Sequence, residues 1–84
     1  MNIKILGTGC TKCVTLENKI RDLVKENKIE AEITKVSNLQ DIMKYGIMMT
    51  PGLVINDKVV SYGTIPKDNR ILKWIEEGKS NENQ

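Results

Sequence analysis

The chain lacks histidine and phenylalanine, and aromatic residues make up only 4% of its 84 residues. The absence of histidine excludes Ser-His-Asp and Cys-His catalysis, histidine metal ligands and a histidine pH switch. The scarcity of aromatic rings argues against a platform on which nucleic-acid bases could stack. Any chemistry must therefore come from other residue types.

The chain also lacks a large excess of either charge and any long apolar run. Thirteen basic residues oppose 11 acidic ones, for a net charge of +2, and the basic residues are scattered. We therefore expect no nucleic-acid partner. No apolar stretch approaches the roughly 20 residues of a membrane helix, so we expect no membrane partner. The first residues, MNIKILG, have the pattern of a strand rather than of a signal peptide.

The sequence has only two cysteines, whereas a secreted scaffold of this size usually holds four or more. We therefore expect a cytoplasmic protein, in which a two-cysteine motif is catalytic or binds metal. The glycines of residues 7–9 fit neither G-x-G-x-x-G nor G-x-x-x-x-G-K, so we expect no nucleotide cofactor, and indeed no cofactor of any kind.

Hydrophobic periodicity predicts an α/β fold with the order β-α-β-α-β-β-α. The predicted elements are strand 2–6, helix 10–27, strand 31–36, short helix 38–45, strands 53–55 and 59–60, and helix 67–77. Ser37 and Gln40 form a capping-box pattern before the short helix, and residues 56–58 form a hairpin turn. We expect one domain over residues 1–77 and a flexible tail over 78–84.

The connections predict a mixed sheet. A helix joins the first two strands, which makes them parallel with a right-handed crossover. The last two strands pair as an antiparallel hairpin. Helices are expected on both faces of this sheet.

The motif Cys10-Thr11-Lys12-Cys13 stands where the first strand turns into the first helix. Residues three apart in a helix have Cα atoms about 5 Å apart, within the roughly 4.4 to 6.8 Å that a disulfide accepts. Such a pair can open and close with little backbone movement. This spacing favours a redox-active disulfide.

The two cysteines are predicted to have different roles. Cys10 opens the helix, where free N–H groups and a dipole effect of at most about 2 kcal/mol favour a thiolate. Cys13 lies one turn further along, on the apolar side. We expect Cys10 to attack a substrate disulfide and Cys13 to resolve the mixed disulfide. Thr11 and Lys12, between the cysteines, are the expected supporting residues, and Lys12 either supports the thiolate or is an ordinary solvated lysine.

Other functions remain open at this point. The cysteines could be two buried small residues, or two thiolates that bind Cu(I), arsenite or a shared cluster. A structural zinc site needs four ligands, and too few are available. GTGCTKC is close to the GMTCxxC loop of soft-metal chaperones, but their βαββαβ order differs from the order predicted here. A redox-responsive interaction module is a third possibility.

Three segments, IKILGTGCTKC, YGIMMTPGLVIN and VVSYGTIP, resemble the small redox-active disulfide proteins of the thioredoxin superfamily, which are of glutaredoxin size. The resemblance covers residues 2–75. It implies a four-stranded sheet of order 2-1-3-4, with the first and last helices on one face. It also implies dithiol-disulfide exchange and a role in redox homeostasis, with the family's two motif cysteines at Cys10 and Cys13. The implied partners are disulfide-bearing or dithiol proteins and an unidentified reductase, and we expect a monomer.

The resemblance further implies that the Thr50–Pro51 bond is cis, whereas an ordinary trans proline at the start of a strand is the alternative. In the family, this segment pairs with the substrate peptide. Thr50 and Pro51, with Gly63 beside them, are therefore the predicted substrate-binding residues.

The sequence also departs from the family pattern. Thr11 stands where the family often has proline, Gly9 replaces a tryptophan, and Gly52 replaces a more usual alanine. No carboxylate matches the family's proton acceptor, so Lys12 or water is expected to take the Cys13 proton. We expect at least one of Met48 and Met49 to lie in the core.

Overall fold

The computed structural model describes residues 1–82, and its elements follow the predicted order. They are β1 (Asn2–Leu6), α1 (Thr11–Glu26), β2 (Glu32–Val36), α2 (Leu39–Lys44), β3 (Gly52–Ile55), β4 (Lys58–Tyr62) and α3 (Asp68–Glu82). Each of the predicted strands and helices is present, and the differences concern only where some of them begin and end.

The four strands form one mixed sheet in the order β2-β1-β3-β4. Strand β1 is parallel to β2 and antiparallel to β3, and β3 is antiparallel to β4. The predicted sheet order and strand directions are confirmed. Because β1 and β3 are the central strands, the segments that follow β1 and precede β3 meet at one end of the sheet.

Alternation along β1 divides the core between the two faces of the sheet. Ile3 and Ile5 belong to the larger cluster, whereas Leu6 belongs to the smaller one. The larger cluster contains residues of α1 and α3, including Leu16, Ile20, Ile71 and Ile75. The smaller one contains Ile42 of α2. Helices therefore lie on both faces, with α1 and α3 together, as predicted.

The β3–β4 hairpin turns through Asn56 and Asp57, with φ values of 50° and 66°. Both residue types tolerate this left-handed region, which explains a tight turn without glycine. Asn56 also exchanges bonds with Asn2: its Oδ1 accepts from the Asn2 N–H at 3.0 Å, and its own N–H donates to the Asn2 carbonyl at 2.8 Å. The turn is thereby joined to the start of β1.

Two helix ends differ from the predictions. Asn38 rather than Ser37 caps α2, because its Oδ1 accepts from the N–H groups of Gln40 and Asp41. Helix α3 continues through Glu82 rather than ending near residue 77. Gly78 is buried against the end of β3, and its carbonyl accepts from Asn56 Nδ2 at 3.3 Å. The division at residue 77 and the flexibility of the tail stay predictions, and residues 83–84 lie outside the described residues.

Candidate active site

Cys10 and Cys13 form a disulfide at the start of α1. Their Cα atoms are 5.0 Å apart, the separation expected from one helical turn. Cys10 is the N-cap residue, with extended backbone angles, and Cys13 lies in the first turn of the helix. The motif cysteines therefore have the geometry that the sequence predicts for a disulfide.

The two sulfurs lie in different environments. Cys10 is exposed, whereas Cys13 is only 3% exposed. The Cys10 Sγ accepts a hydrogen bond from the Cys13 backbone N–H, with the nitrogen and sulfur 3.2 Å apart. An N–H group and a helix N-terminus both favour negative charge on this sulfur when the disulfide is reduced. The accessible sulfur is thus also the one placed to carry charge.

Gly7, between β1 and the motif, contacts Cys13 closely. A Cβ atom built on Gly7 would lie 2.5 Å from the Cys13 Sγ and 2.8 Å from its Cβ. Only a residue without a side chain fits at this position. Sequence analysis considered Gly7 only among the glycines of residues 7–9, which fit no nucleotide-binding motif. The available signal was a glycine three residues before a C-x-x-C motif.

The segment around Pro51 reaches the same end of the sheet. Gly52 pairs with Leu6 of β1, directly before Gly7, and with Tyr62 of β4 on its other side. The Thr50–Pro51 bond is cis, as the resemblance implied. The Gly63 N–H donates to the Pro51 carbonyl at 2.8 Å. The structure therefore joins the predicted substrate-binding residues Pro51 and Gly63, and places half-buried Thr50 beside them.

The expectation that Met48 or Met49 lies in the core is wrong. Their exposed fractions are 95% and 61%. Ile47 is buried instead and belongs to the smaller core cluster. The next two residues, Met48 and Met49, lie at the surface before the chain reaches Pro51. Two large apolar side chains consequently face solvent immediately before the predicted substrate-binding segment.

The predicted supporting residues Thr11 and Lys12 are both exposed in the first turn of α1. The Thr11 carbonyl accepts from the Thr15 hydroxyl at 2.9 Å. Within residues 1–82, no hydrogen bond or ion pair involves the Lys12 side chain. Lys12 therefore lies inside the motif without a hydrogen bond from its ammonium group to the Cys10 sulfur.

No polar or charged side chain is buried among the residues whose side chains are described. The pKa of Glu17 is lowered mainly by its hydrogen bond with Arg21, and Lys35 contributes to the same direction. The pKa of Lys4 is raised, chiefly by its hydrogen bond with the Tyr45 hydroxyl. Lys4 is not a carboxylate, and Glu17 is not buried. Neither residue is therefore a buried carboxylate that could accept the proton of Cys13.

Within the described part of the chain, no group of three or more cysteine or acidic side chains is arranged to hold a metal ion. No helix among the described residues is both long enough and apolar enough to cross a bilayer.

Comparison with known proteins agrees with this geometry. A family model described as a thioredoxin domain matches residues 1–76. A thioredoxin of Methanothermobacter thermautotrophicus is 36% identical over 75 residues, which cover 89% of this chain and 97% of that protein. A thioredoxin of Methanocaldococcus jannaschii is 39% identical over 80 residues, 92% of each chain. Thioredoxin 1 of Thermosipho africanus has a similar fold, with a TM-score of 0.66 over both whole chains at 18% identity.

A disulfide of C-x-x-C spacing at the start of a helix, on this sheet, defines a dithiol-disulfide oxidoreductase with the thioredoxin fold. The matches over nearly the whole chain give the more particular assignment. The chain belongs to the thioredoxin domain family. None of the matches favours the alternative of a soft-metal binding protein.

Proposed function

We propose that the chain exchanges its dithiol with disulfides of other proteins, with Cys10 as the attacking residue and Cys13 as the resolving residue. The observation that carries this proposal is the asymmetry of the pair. Cys10 is exposed and accepts an N–H hydrogen bond, whereas Cys13 is 3% exposed. An attacking sulfur must be both accessible and ionised.

The reaction has two displacement steps. The Cys10 thiolate attacks one sulfur of the substrate disulfide, forms a mixed disulfide and releases the other substrate sulfur as a thiolate. Cys13 then loses its proton and attacks the Cys10 sulfur, which forms the Cys10–Cys13 disulfide and releases the second substrate thiolate. The substrate gains two electrons and this chain loses two.

The surface formed by Thr50, Pro51 and Gly63 is proposed to hold the substrate during both steps. Support comes from the sheet register and from the Gly63 N–H bond to the Pro51 carbonyl, at the end of the sheet where Gly7 contacts Cys13. A polypeptide that lies there can present its disulfide to the exposed Cys10. In this proposal, Thr11 and Lys12 lie at the edge of the surface next to Cys10.

Two components of the cycle come from outside the chain. The Cys13 proton passes to water, since no described carboxylate is buried near it. A reductase or another dithiol protein returns the two electrons to the Cys10–Cys13 disulfide. The small number of cysteines favours action in the cytoplasm, and we propose that the protein acts there as a monomer.

Trapping the mixed disulfide tests the proposed roles. The Cys13→Ser variant, mixed with insulin as the protein disulfide, should accumulate an adduct through Cys10, because the resolving thiol is missing. The matched Cys10→Ser variant should form far less adduct, since its remaining sulfur is buried. Equal trapping by both variants would overturn the assignment of roles, and the absence of any insulin reduction by the unaltered chain would overturn the proposed substrate class.

A further inference from the structure

Most of the strongly exposed large apolar side chains lie beside the predicted substrate-binding residues. Met43, Met48 and Met49 are 63%, 95% and 61% exposed. They line one groove, with a volume of about 310 Å³, between α2 and the segment before Pro51. Its lining residues are Leu39, Ile42, Met43, Ile47, Met48, Met49 and Thr50. We refer to Met43, Met48 and Met49 as the methionine rim.

The groove has the character of a protein-contact surface rather than a small-molecule site. Six of its seven lining residues are apolar, and Thr50 is the only polar one. A small-molecule pocket usually adds several convergent polar groups that fix the ligand. Methionine side chains, in contrast, adapt to varied apolar partners. The groove is continuous with Thr50, so a substrate protein that lies over Thr50 also covers the rim.

Met49 connects the rim to the other side of the predicted binding surface. A Cβ atom built on Gly63 would lie 3.2 Å from the Met49 Cβ and 3.6 Å from its Sδ. The Met49 thioether therefore lies over Gly63, which bonds to Pro51. A chemical change at this sulfur alters the surface that the substrate touches without altering either cysteine.

We infer that the methionine rim is an oxidation site that regulates docking of substrate proteins, an inference that rests on the proposed function. A peroxide transfers one oxygen atom to each thioether sulfur; the sulfur is oxidised by two electrons to the sulfoxide and the peroxide is reduced to water or an alcohol. The sulfoxide is polar, and covering it with an apolar partner surface is unfavourable. Sulfoxide formation weakens contact with protein substrates, whereas a small disulfide that reaches Cys10 alone is unaffected.

The test begins with the disulfide form of the full chain, in which neither cysteine is a free thiol. Hydrogen peroxide is added, and peptide mass mapping locates the added oxygen atoms. Met43, Met48 and Met49 should be oxidised before Met1, which is half-buried against the larger core cluster. Dithiothreitol then regenerates the dithiol for kinetics with insulin and with hydroxyethyl disulfide.

Oxidation should lower kcat/KM for insulin by about tenfold, which corresponds to about 1.4 kcal/mol. The rate with hydroxyethyl disulfide should not change, and methionine sulfoxide reductases should restore the insulin rate. In a variant with Met43→Leu, Met48→Leu and Met49→Leu, the ratio of treated to untreated rate should stay near one.

Three results would overturn the inference. They are a full insulin rate despite mapped sulfoxides, an equal fall for both disulfides, and an equal fall in the leucine variant. The proposed function is tested independently by the rate of insulin reduction before peroxide treatment. Insulin reduction by the untreated chain supports that function even if oxidation of the methionine rim has no effect.

Discussion

Gly7 packs directly against Cys13, so closely that a methyl group at position 7 would lie 2.5 Å from the sulfur. The glycine follows β1, and the cysteine lies in the first turn of α1. The contact fixes how near the helix approaches the sheet at the disulfide. A glycine outside the motif thereby positions the buried member of the cysteine pair.

Replacing Gly7 by alanine should displace Cys13 and lower the free energy of unfolding by about 1 to 3 kcal/mol, because the added methyl overlaps the sulfur and Cβ of Cys13. Denaturant titration measures the loss of stability, and equilibration with a thiol-disulfide buffer measures the effect on the disulfide. Gly9→Ala is the matched control. Gly9 has φ of 95°, but a methyl added there would meet nothing within 4 Å, so this variant should lose stability without altering the disulfide equilibrium. Indistinguishable disulfide equilibria for the two variants would contradict the role of Gly7.

Brief alkylation of the reduced protein at neutral pH should label Cys10 before Cys13. Cys10 is exposed at the helix N-terminus, and its Sγ lies 3.2 Å from the Cys13 backbone nitrogen. These features should hold the pKa of Cys10 below that of an ordinary cysteine. Mass mapping after iodoacetamide treatment over a pH series gives the labelling rate of each sulfur. Faster labelling of Cys13, or a Cys10 profile like that of free cysteine, would contradict this prediction.

Gly63→Ala should lower both stability and the rate of insulin reduction. Gly63 has φ of 78°, a region that costs an ordinary residue roughly 1 to 2 kcal/mol, and an added methyl would press on Met49. Gly46→Ala provides a matched control, since Gly46 has φ of 77° and open space around it. Unfolding curves should show a loss for both variants, with the larger loss for Gly63→Ala because of its contact with Met49. Only Gly63→Ala should slow insulin reduction beyond what its stability explains, and equal rates would count against the role of Gly63.

Glu17 should make folding sensitive to acid. Its pKa is lowered from 4.5 by Arg21 and Lys35, at 3.1 Å and 3.5 Å. Because the folded state favours the charged carboxylate, the contribution is complete above pH 4.5 and disappears as pH falls through the lowered pKa. Glu17→Gln should remove this dependence and cost less than about 1 kcal/mol at neutral pH, as for other surface pairs. Chemical unfolding at a series of pH values from acid to neutral measures how the free energy of unfolding depends on pH, with Glu30→Gln as the charge-matched control. Parallel profiles for Glu17→Gln and the unaltered chain would refute the prediction.

The sequence predicts the elements well because apolar alternation in β1 and helical spacing along α1 are local patterns. The separation of Cys10 and Cys13 is predictable for the same reason. The cis bond before Pro51 came from resemblance alone, because most X-Pro bonds are trans. Asn38 and Ser37 are both good caps, so adjacent residues could not be ranked.

Contacts between distant segments could not be predicted from local pattern. The approach of Gly7 to Cys13 depends on how α1 packs against the sheet. The exposure of Met48 and Met49 contradicts their apolar character, which ordinarily favours burial. Ile47 fills the available core position instead, and the chain must then reach Pro51 at the edge of β3.

The two halves of the site rest on core clusters that lie on opposite faces of the sheet. Helix α1, which carries both cysteines at its start, is anchored by Leu16 and Ile20 in the larger cluster, whereas the groove beside Thr50 rests on Ile42 and Ile47 of the smaller one. In the proposed docking arrangement, substitutions in α2 therefore alter the groove while leaving the electron-exchanging pair in place. That arrangement opens partner choice and thiol chemistry to independent evolutionary change in a scaffold of only 84 residues.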